Sequence, residues 1–205
     1  MKSELTLLEQ ALATLLSRRS VSPRRLALPA PDTTQLDLMI QAALRGPDHG
    51  GLHPWRIVEF RATERAALAE CFAQEKLRRD PLATPLDLTR AREHATQAPA
   101  LLGFVVCPRA RTRVPAREQV LAAGAALGNL LNAAHQLGFG ASILSGERCF
   151  DAVLLRQLGL IGDEWLAGFV SIGTISEPAP RARPAPSASV WSCWVPSGPA
   201  TGRPE

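Results

Sequence analysis

Several signatures that would assign a function directly are missing from this 205-residue chain. No G-x-G-x-x-G follows a predicted strand, which leaves a dinucleotide-binding Rossmann unit unsupported, and neither a P-loop nor a G-x-S-x-G nucleophile elbow is present. No apolar run approaches the ~20 residues of a membrane-spanning helix, so no membrane partner is expected. The first residues carry an early acid and no apolar block typical of a signal peptide, and a cytoplasmic location is the expectation.

Cysteine pairs and a histidine cluster are also lacking. The four cysteines lie far apart without a C-x-x-C, so separate buried or half-buried thiols are expected. His49 and His53 are four apart, but two glycines separate them and Pro54 follows, so they do not share a helix face. We therefore expect no metal site.

Lysine is scarce, since 21 of the 23 basic residues are arginine and the net charge is +4. Nucleic-acid binders concentrate their charge on one face. Here the arginines recur along the whole chain beside Ala, Leu and Pro, which indicates a composition bias and no nucleic-acid partner. The densest local run, Arg109 to Arg113, reads as a solvated loop.

Hydrophobic periodicity predicts helices separated by a few short strands. The chain offers N-cap residues at Ser3 and at Asp32, the latter with Gln35 in a capping-box arrangement, and Gly46 suits the C′ position of the second helix. The predicted helices are 3–18, 32–45, 63–78, 87–97, 115–137 and 150–158, and the predicted strands are 55–60, 100–107, 141–145 and 165–173. Inward positions include Leu77 and Val120.

Two stretches of unusual composition support further predictions, one rich in small residues and one rich in proline. Ala122 to Gly128 on the longest helix are nearly all small, which permits close approach of either another helix or a flat ligand. Seven of the 17 prolines lie in residues 178–205. We therefore predict one domain over 1–177 and a Pro-rich extended arm or disordered tail over 178–205.

Arg18, Arg19 and Ser20 lie where the first helix ends and an extended segment begins. A guanidinium matches phosphate oxygens bidentately, and a serine adds a hydroxyl and a backbone donor. Arginines in this position also stabilise the carbonyl end of a helix. From the residues alone, both an anion site and a helix cap remain open.

The order of several short motifs resembles the nitroreductase family, in particular its short members, over roughly residues 5–175. The resemblance implies an α+β fold in which a mixed, mainly antiparallel sheet is flanked by helices, with FMN bound at a homodimer interface. The matching segments are Arg18-Arg19-Ser20, Arg45-Gly46-Pro47-Asp48-His49, Pro54-Trp55, Val114 to Gln119 with Ala123-Gly124, Gly138-Phe139-Gly140, Ser145-Gly146 and Gly168 to Thr174.

The resemblance also implies residue roles. Arg18 and Ser20 would hold the FMN phosphate and ribityl side, with Arg19 beside them, and Arg181 and Arg183 would add a basic pair at the phosphate.

At the ring, the backbone around Leu144, Ser145 and Gly146 would face the reactive edge of the flavin. Arg45 and His49 would reach the flavin held mainly by the other subunit. No general acid, base or other catalytic side chain is expected, because the flavin performs the redox chemistry.

The chain departs from the family pattern at two points. His53 stands where glutamine is common, and Ile143-Leu144 stands where close short relatives carry Trp-Arg. The second change removes a cation, for which Arg181 or Arg183 is a candidate replacement.

The function implied is an FMN-dependent NAD(P)H oxidoreductase that passes a hydride through flavin N5 to a small electron acceptor such as a nitroaromatic or a quinone. Residues 133–138 would lie near the nicotinamide cofactor. A flavin-binding or flavin-sequestering protein without activity, and an arginine-rich interaction domain without cofactor, are the alternatives.

Overall fold

An antiparallel sheet forms the centre of the structure, a computed structural model that describes residues 7–110, 112–179, 190–191 and 193–194. The longest strand, β5, pairs with β3 along one edge and with β4 along the other, and β2 extends the sheet beyond β3. All these ladders are antiparallel, and an isolated parallel bridge joins Ser20 to Ala141. The strands are β1 (Leu26–Ala27), β2 (Trp55–Phe60), β3 (Ala100–Val106), β4 (Phe139–Leu144) and β5 (Trp165–Ile175).

Helices cover both faces of this sheet, and each predicted helix is present with shifted ends. The capping box at Asp32 is confirmed, because its carboxylate accepts from the Gln35 N–H at 2.8 Å and the Gln35 side chain accepts from the Asp32 N–H at 2.9 Å. The predicted cap Ser3 lies outside the described residues. The helices are α1 (Leu7–Ser17), α2 (Thr33–Ala43), α3 (Arg65–Arg79), α4 (Pro85–Thr96), α5 (Ala116–Gln136) and α6 (Ala152–Gln157).

The alternation of side chains along the strands produces two cores. Leu102 and Phe104 of β3 face α2 and α5, where Leu130 is fully buried. Leu101 and Val105 face α3, α4 and α6 instead. A bulge in the β3–β5 pairing between Phe104 and Val105 adjusts this register. The sheet therefore separates an α2/α5 face from an α3/α4 face.

Gly46 has a different role from the one predicted. It does not adopt the left-handed conformation of a C′ glycine. A Cβ at this position would lie 2.9 Å from the backbone nitrogen of Ala126, so the glycine is required by the approach of α5. Close helix packing thus accounts for the small residues at Ala125 and Ala126, whereas a Cβ on Gly124 would meet nothing within 4 Å.

Two predicted core positions are wrong. Leu77 is 42% exposed on α3 and Val120 is 41% exposed on α5. On α1, the leucines Leu12, Leu15 and Leu16 are also exposed, so these three apolar side chains are uncovered within one chain.

Candidate cofactor site

A cavity of about 370 Å³ lies on the α3/α4 face, beside the end of β4. The three residues predicted at the reactive edge of the flavin, Leu144, Ser145 and Gly146, line it together. Its other walls come from α3, α4, β3, β5 and the turn after β4. These lining residues are Phe72, Arg79, His94, Leu101, Glu147, Arg148, Phe169 and Ser171.

Close strand packing sets the path of the chain into this cavity. Gly168 lies on β5 beside the end of β4, and a Cβ there would lie 2.7 Å from the Ile143 side chain and 2.8 Å from the Leu144 carbonyl oxygen. The glycine therefore lets the end of β4 approach β5. A 3-10 turn follows, in which the Cys149 N–H donates to the Gly146 carbonyl oxygen at 2.9 Å.

The backbone between strand and turn offers hydrogen-bond donors. Neither the Ser145 N–H nor the Gly146 N–H donates to any acceptor in the part of the chain that the structure describes. Both residues are exposed to the cavity, and a Cβ on Gly146 would meet no atom within 4 Å. Unused backbone donors in an open, partly apolar recess fit a flat ligand whose edge carries acceptors.

Buried charges surround the inner end of the cavity. Glu75 is completely buried on α3 and accepts from the Arg79 Nε at 2.7 Å. The Arg148 guanidinium lies 4.2 Å from the centre of the Phe72 ring, a cation–π contact, and its Nε is 3.7 Å from the second Glu75 oxygen. Arg79 also pairs with the exposed Glu147 at 2.7 Å. Two guanidinium groups thus share one buried carboxylate.

His94 of α4, which is exposed at its outer side, forms part of the wall of the same cavity. Burial lowers its pKa below the ordinary value, and the positive charges of Arg148 and Arg24 lower it further. Both causes favour the neutral imidazole relative to an ordinary histidine. On β5, Ser171 adds a hydroxyl group to the wall.

The predicted phosphate-side residues lie along the outer edge of β4. Ser20 bridges Ala141, and the Val21 N–H donates to the Ala141 carbonyl oxygen at 3.0 Å. Three residues of strand, roughly 10 Å, separate Ala141 from Leu144. Arg18 and Arg19 immediately precede this bridge, after the end of α1. Arg181 and Arg183 lie outside the described residues.

Arg45 and His49 lie on the opposite side of the sheet. Arg45 borders a groove between α1, α2 and α5, together with Asn129 and Gln136. The His49 Nδ1 is 2.8 Å from a carboxylate oxygen of Glu118 in the first turn of α5. Within one chain, the structure does not bring these two residues to the cavity lined by Ser145 and Gly146.

The α3 and α4 walls of the cavity and Arg148 are functional candidates that the sequence did not predict. The spacing of Glu75 and Arg79 at i,i+4 is a local signal for an ion pair. No local pattern shows that Arg148, two residues beyond Gly146, joins the same carboxylate.

Comparison with known proteins agrees with this fold. The model of the nitroreductase family matches residues 15–174, and the chain belongs to this family. A Haemophilus influenzae protein named provisionally as an NAD(P)H nitroreductase is 32% identical over 178 residues, which are 82% of this chain and 90% of that protein. Escherichia coli YdjA, named in the same way, is 30% identical over 164 residues, covering 80% of this chain and 87% of YdjA.

Solved structures show the same architecture. A nitroreductase-like protein from Bacillus cereus superposes with a TM-score of 0.74 at 18% identity, covering 94% of this chain and 98% of the other. NfnB from Sphingopyxis, described as an FMN- and NADPH-dependent nitroreductase, gives 0.68 at 21% identity and covers 89% of this chain and 97% of NfnB. The expected fold and the expected class, an oxidoreductase of the nitroreductase type, are confirmed. None of the described helices is long and apolar enough to cross a membrane.

Proposed function

We propose that this chain is an FMN-dependent NAD(P)H oxidoreductase that reduces small acceptors such as nitroaromatics or quinones. The observation that carries the proposal is the pair of unused N–H donors at Ser145 and Gly146, which open into a cavity with apolar walls and a cationic inner end. The names of the Haemophilus influenzae and Escherichia coli relatives and the cofactors in the description of NfnB point the same way.

The residues fit a flavin. Leu144 supplies exposed apolar surface for a planar ring and Leu101 and Phe169 lie behind it in the wall, while the N–H donors and the arginines match carbonyl acceptors on one ring edge. When bound, FMN would supply the hydride-transfer and electron-transfer chemistry between NAD(P)H and the acceptor. The protein needs no general base for this, and His94 is assigned no proton transfer.

The backbone donors hold the ring and stabilise charge. The backbone N–H groups of Ser145 and Gly146 can donate to acceptors at the reactive edge of the ring. Because these donors belong to the backbone, their direction depends on the path of the chain and not on the side chains. The arginines at the inner end, Arg79 and Arg148, favour negative charge in the ring. Arg18 and Ser20, with Arg19, Arg181 and Arg183, are proposed to hold the phosphate.

The active form is proposed to be a homodimer. Three leucines on α1 are exposed, and Leu121 on α5 is 72% exposed, so both helices carry apolar surface that a second copy would cover. Arg45 and His49 lie on the opposite side of the sheet from their own chain's cavity. We propose that they contact the partner's flavin.

The phosphate assignment has a selective test. Arg18→Ala is expected to weaken FMN binding by ~10- to 100-fold, the range for one charge-assisted hydrogen bond, and to leave riboflavin affinity nearly unchanged. Titration of apoprotein with both ligands measures this, and the exposed Arg156→Met on α6 is a matched control. Equal losses for FMN and riboflavin would contradict the role of Arg18.

The shared site is tested by mixing subunits. Arg18→Ala and His49→Ala chains, combined, are expected to form heterodimers with one intact site and to recover part of the flavin occupancy. No recovery is expected if both residues serve the same flavin. NAD(P)H oxidation with a quinone then separates an enzyme from a flavin-sequestering protein.

A further inference from the structure

Arg148 is a buried cation with unused hydrogen-bond donors. Its side chain is only 13% exposed, and its closest carboxylate contact, at 3.7 Å from Nε, is too long for a hydrogen bond. No N–H of its guanidinium donates to any residue in the described part of the chain. A mostly buried guanidinium whose donors meet no protein acceptor can donate them to a ligand in the cavity that it lines.

The surroundings hold Arg148 in place without using these donors. The guanidinium lies over Phe72, and Glu75 supplies an opposite charge from below. Glu75 is already bonded to Arg79, and its oxygen nearest Arg148 is buried with no hydrogen-bond partner. One carboxylate oxygen of the cluster therefore has no hydrogen-bond partner, and Arg148 itself lines the cavity beside it.

The charge of Arg148 is the least closely paired in this cluster. Arg79 lies 2.7 Å from a carboxylate oxygen of Glu75 and 2.7 Å from one of Glu147, and its side chain is 34% exposed. Arg148 has only the 3.7 Å contact of its Nε with Glu75, so its positive charge is the one most available at the inner end of the cavity. The N–H groups of Ser145 and Gly146 add dipoles of the same sign a few residues away.

We propose that Arg148 is the cation that binds the pyrimidine oxygens of the flavin ring. This inference rests on the proposed function. Reduction places negative charge on the pyrimidine half of the ring, so Arg148 binds the reduced flavin more tightly than the oxidised form. Arg148 acts as a positioning and electrostatic residue that raises the reduction potential of bound FMN.

The test replaces the guanidinium and keeps the packed stem, with Arg148→Met. FMN and riboflavin affinities are expected to fall by the same factor, ~10- to 100-fold, because the contact is to the ring. The reduction potential is expected to become more negative, by about 30 mV for each additional tenfold loss of affinity for reduced flavin in a two-electron couple. Arg148→Lys restores the charge and is expected to recover most of the potential.

Two controls keep the result interpretable. Arg156→Met on α6 removes an exposed arginine and is expected to change neither affinity nor potential. If Arg148→Met does not fold, as judged by circular dichroism, the pair Glu75→Gln with Arg148→Met removes both charges together and is expected to show the same flavin effects.

The outcomes separate this inference from the proposed function. Wild-type protein that binds neither FMN nor riboflavin would overturn both. Wild-type protein that binds FMN, with unchanged ring affinity and potential in Arg148→Met, would overturn the role of Arg148 alone. A potential that lysine does not restore would likewise show that Arg148 acts through packing and not through its charge.

Discussion

The two faces of the sheet are built differently. On the α2/α5 face, Met39 and Leu130 are fully buried in a cluster of apolar side chains without a charged member. On the α3/α4 face, Glu75 and Arg65 are buried as well, and the packing leaves a cavity. Arg65 is satisfied by backbone carbonyls, those of Phe60, Ala95 and Ala98 among them, whereas Arg148 is not satisfied. The α2/α5 face therefore contributes to stability through apolar packing. The α3/α4 face contains both a charge that the protein's own carbonyls satisfy, Arg65, and a charge available to a ligand, Arg148.

The largest expected effect tests the apolar face. Leu130→Ala removes a fully buried side chain between α5 and the sheet and is expected to lower the free energy of unfolding by ~3 kcal/mol. Flavin affinity of the folded variant should stay unchanged, because the sheet lies between this residue and the cavity. Denaturant unfolding and FMN titration measure the two quantities. A large loss of affinity in folded protein would contradict the separation of the two faces.

A second variant tests the close approach of α5. Gly46→Ala places a Cβ against the Ala126 backbone, which cannot move without shifting the helix, and is expected to cost ~1–3 kcal/mol. Gly124→Ala meets no atom and is the matched control, expected to leave the free energy of unfolding unchanged or raise it by up to ~1 kcal/mol. Equal losses at both positions would show that the contact of Gly46 is not the cause.

The contribution of an ion pair to stability is tested at Glu164, which pairs with Arg56. Hydrogen bonding from Arg56 lowers the pKa of this carboxyl to about 2, and the Cys107 thiol also donates to it at 3.1 Å. Because the folded-state pKa is depressed, the stabilisation is present above the ordinary value of 4.5 and is lost as the pH falls toward 2. Glu164→Gln is expected to cost ~1–2 kcal/mol at pH 7, after allowance for the solvent around Arg56.

Unfolding measured between pH 7 and pH 3 checks this assignment. The wild type and Glu164→Gln should converge in stability toward the acid end. A difference that stays constant over this range would mean that Glu164 contributes through packing and not through its charge.

The smallest effect concerns His94. Its pKa is lowered by burial and by Arg148, so the unfolded chain takes up the proton more readily than the folded one. The folded state is therefore favoured above the ordinary pKa of 6.5 and loses stability as the pH falls below it. His94→Gln is expected to flatten this part of the pH dependence. An unchanged slope between pH 8 and pH 5.5 would refute the assignment.

Local signals accounted for much of the fold. The Asp32 capping box and the strand at Trp55–Phe60 depend on residues that are neighbours in the sequence, and both are confirmed. Gly46 was misassigned because its steric partner, Ala126, lies 80 positions away on another helix. A composition or spacing rule cannot contain such a contact.

The site residues also divide into those that neighbouring sequence positions predict and those that only the fold brings together. Leu144, Ser145 and Gly146 are contiguous; the family resemblance implies that they face the reactive edge of the flavin, and the structure shows that they line one cavity together. Arg79, His94 and Arg148 come from three separate elements, and only the packing of α3 and α4 against the sheet brings them together. Whether Arg18, Ser20, Arg45 and the other predicted ligands contact FMN remains a prediction.

The central claim is that the cavity at the end of β4 holds FMN. The most direct measurement is the visible absorption spectrum of the purified protein, dialysed after incubation with excess FMN and repeated with Arg148→Met. The account predicts that the wild type retains about one flavin per chain, with a spectrum shifted from that of free FMN, and that the variant retains much less. Wild-type protein that stays colourless under these conditions would contradict it.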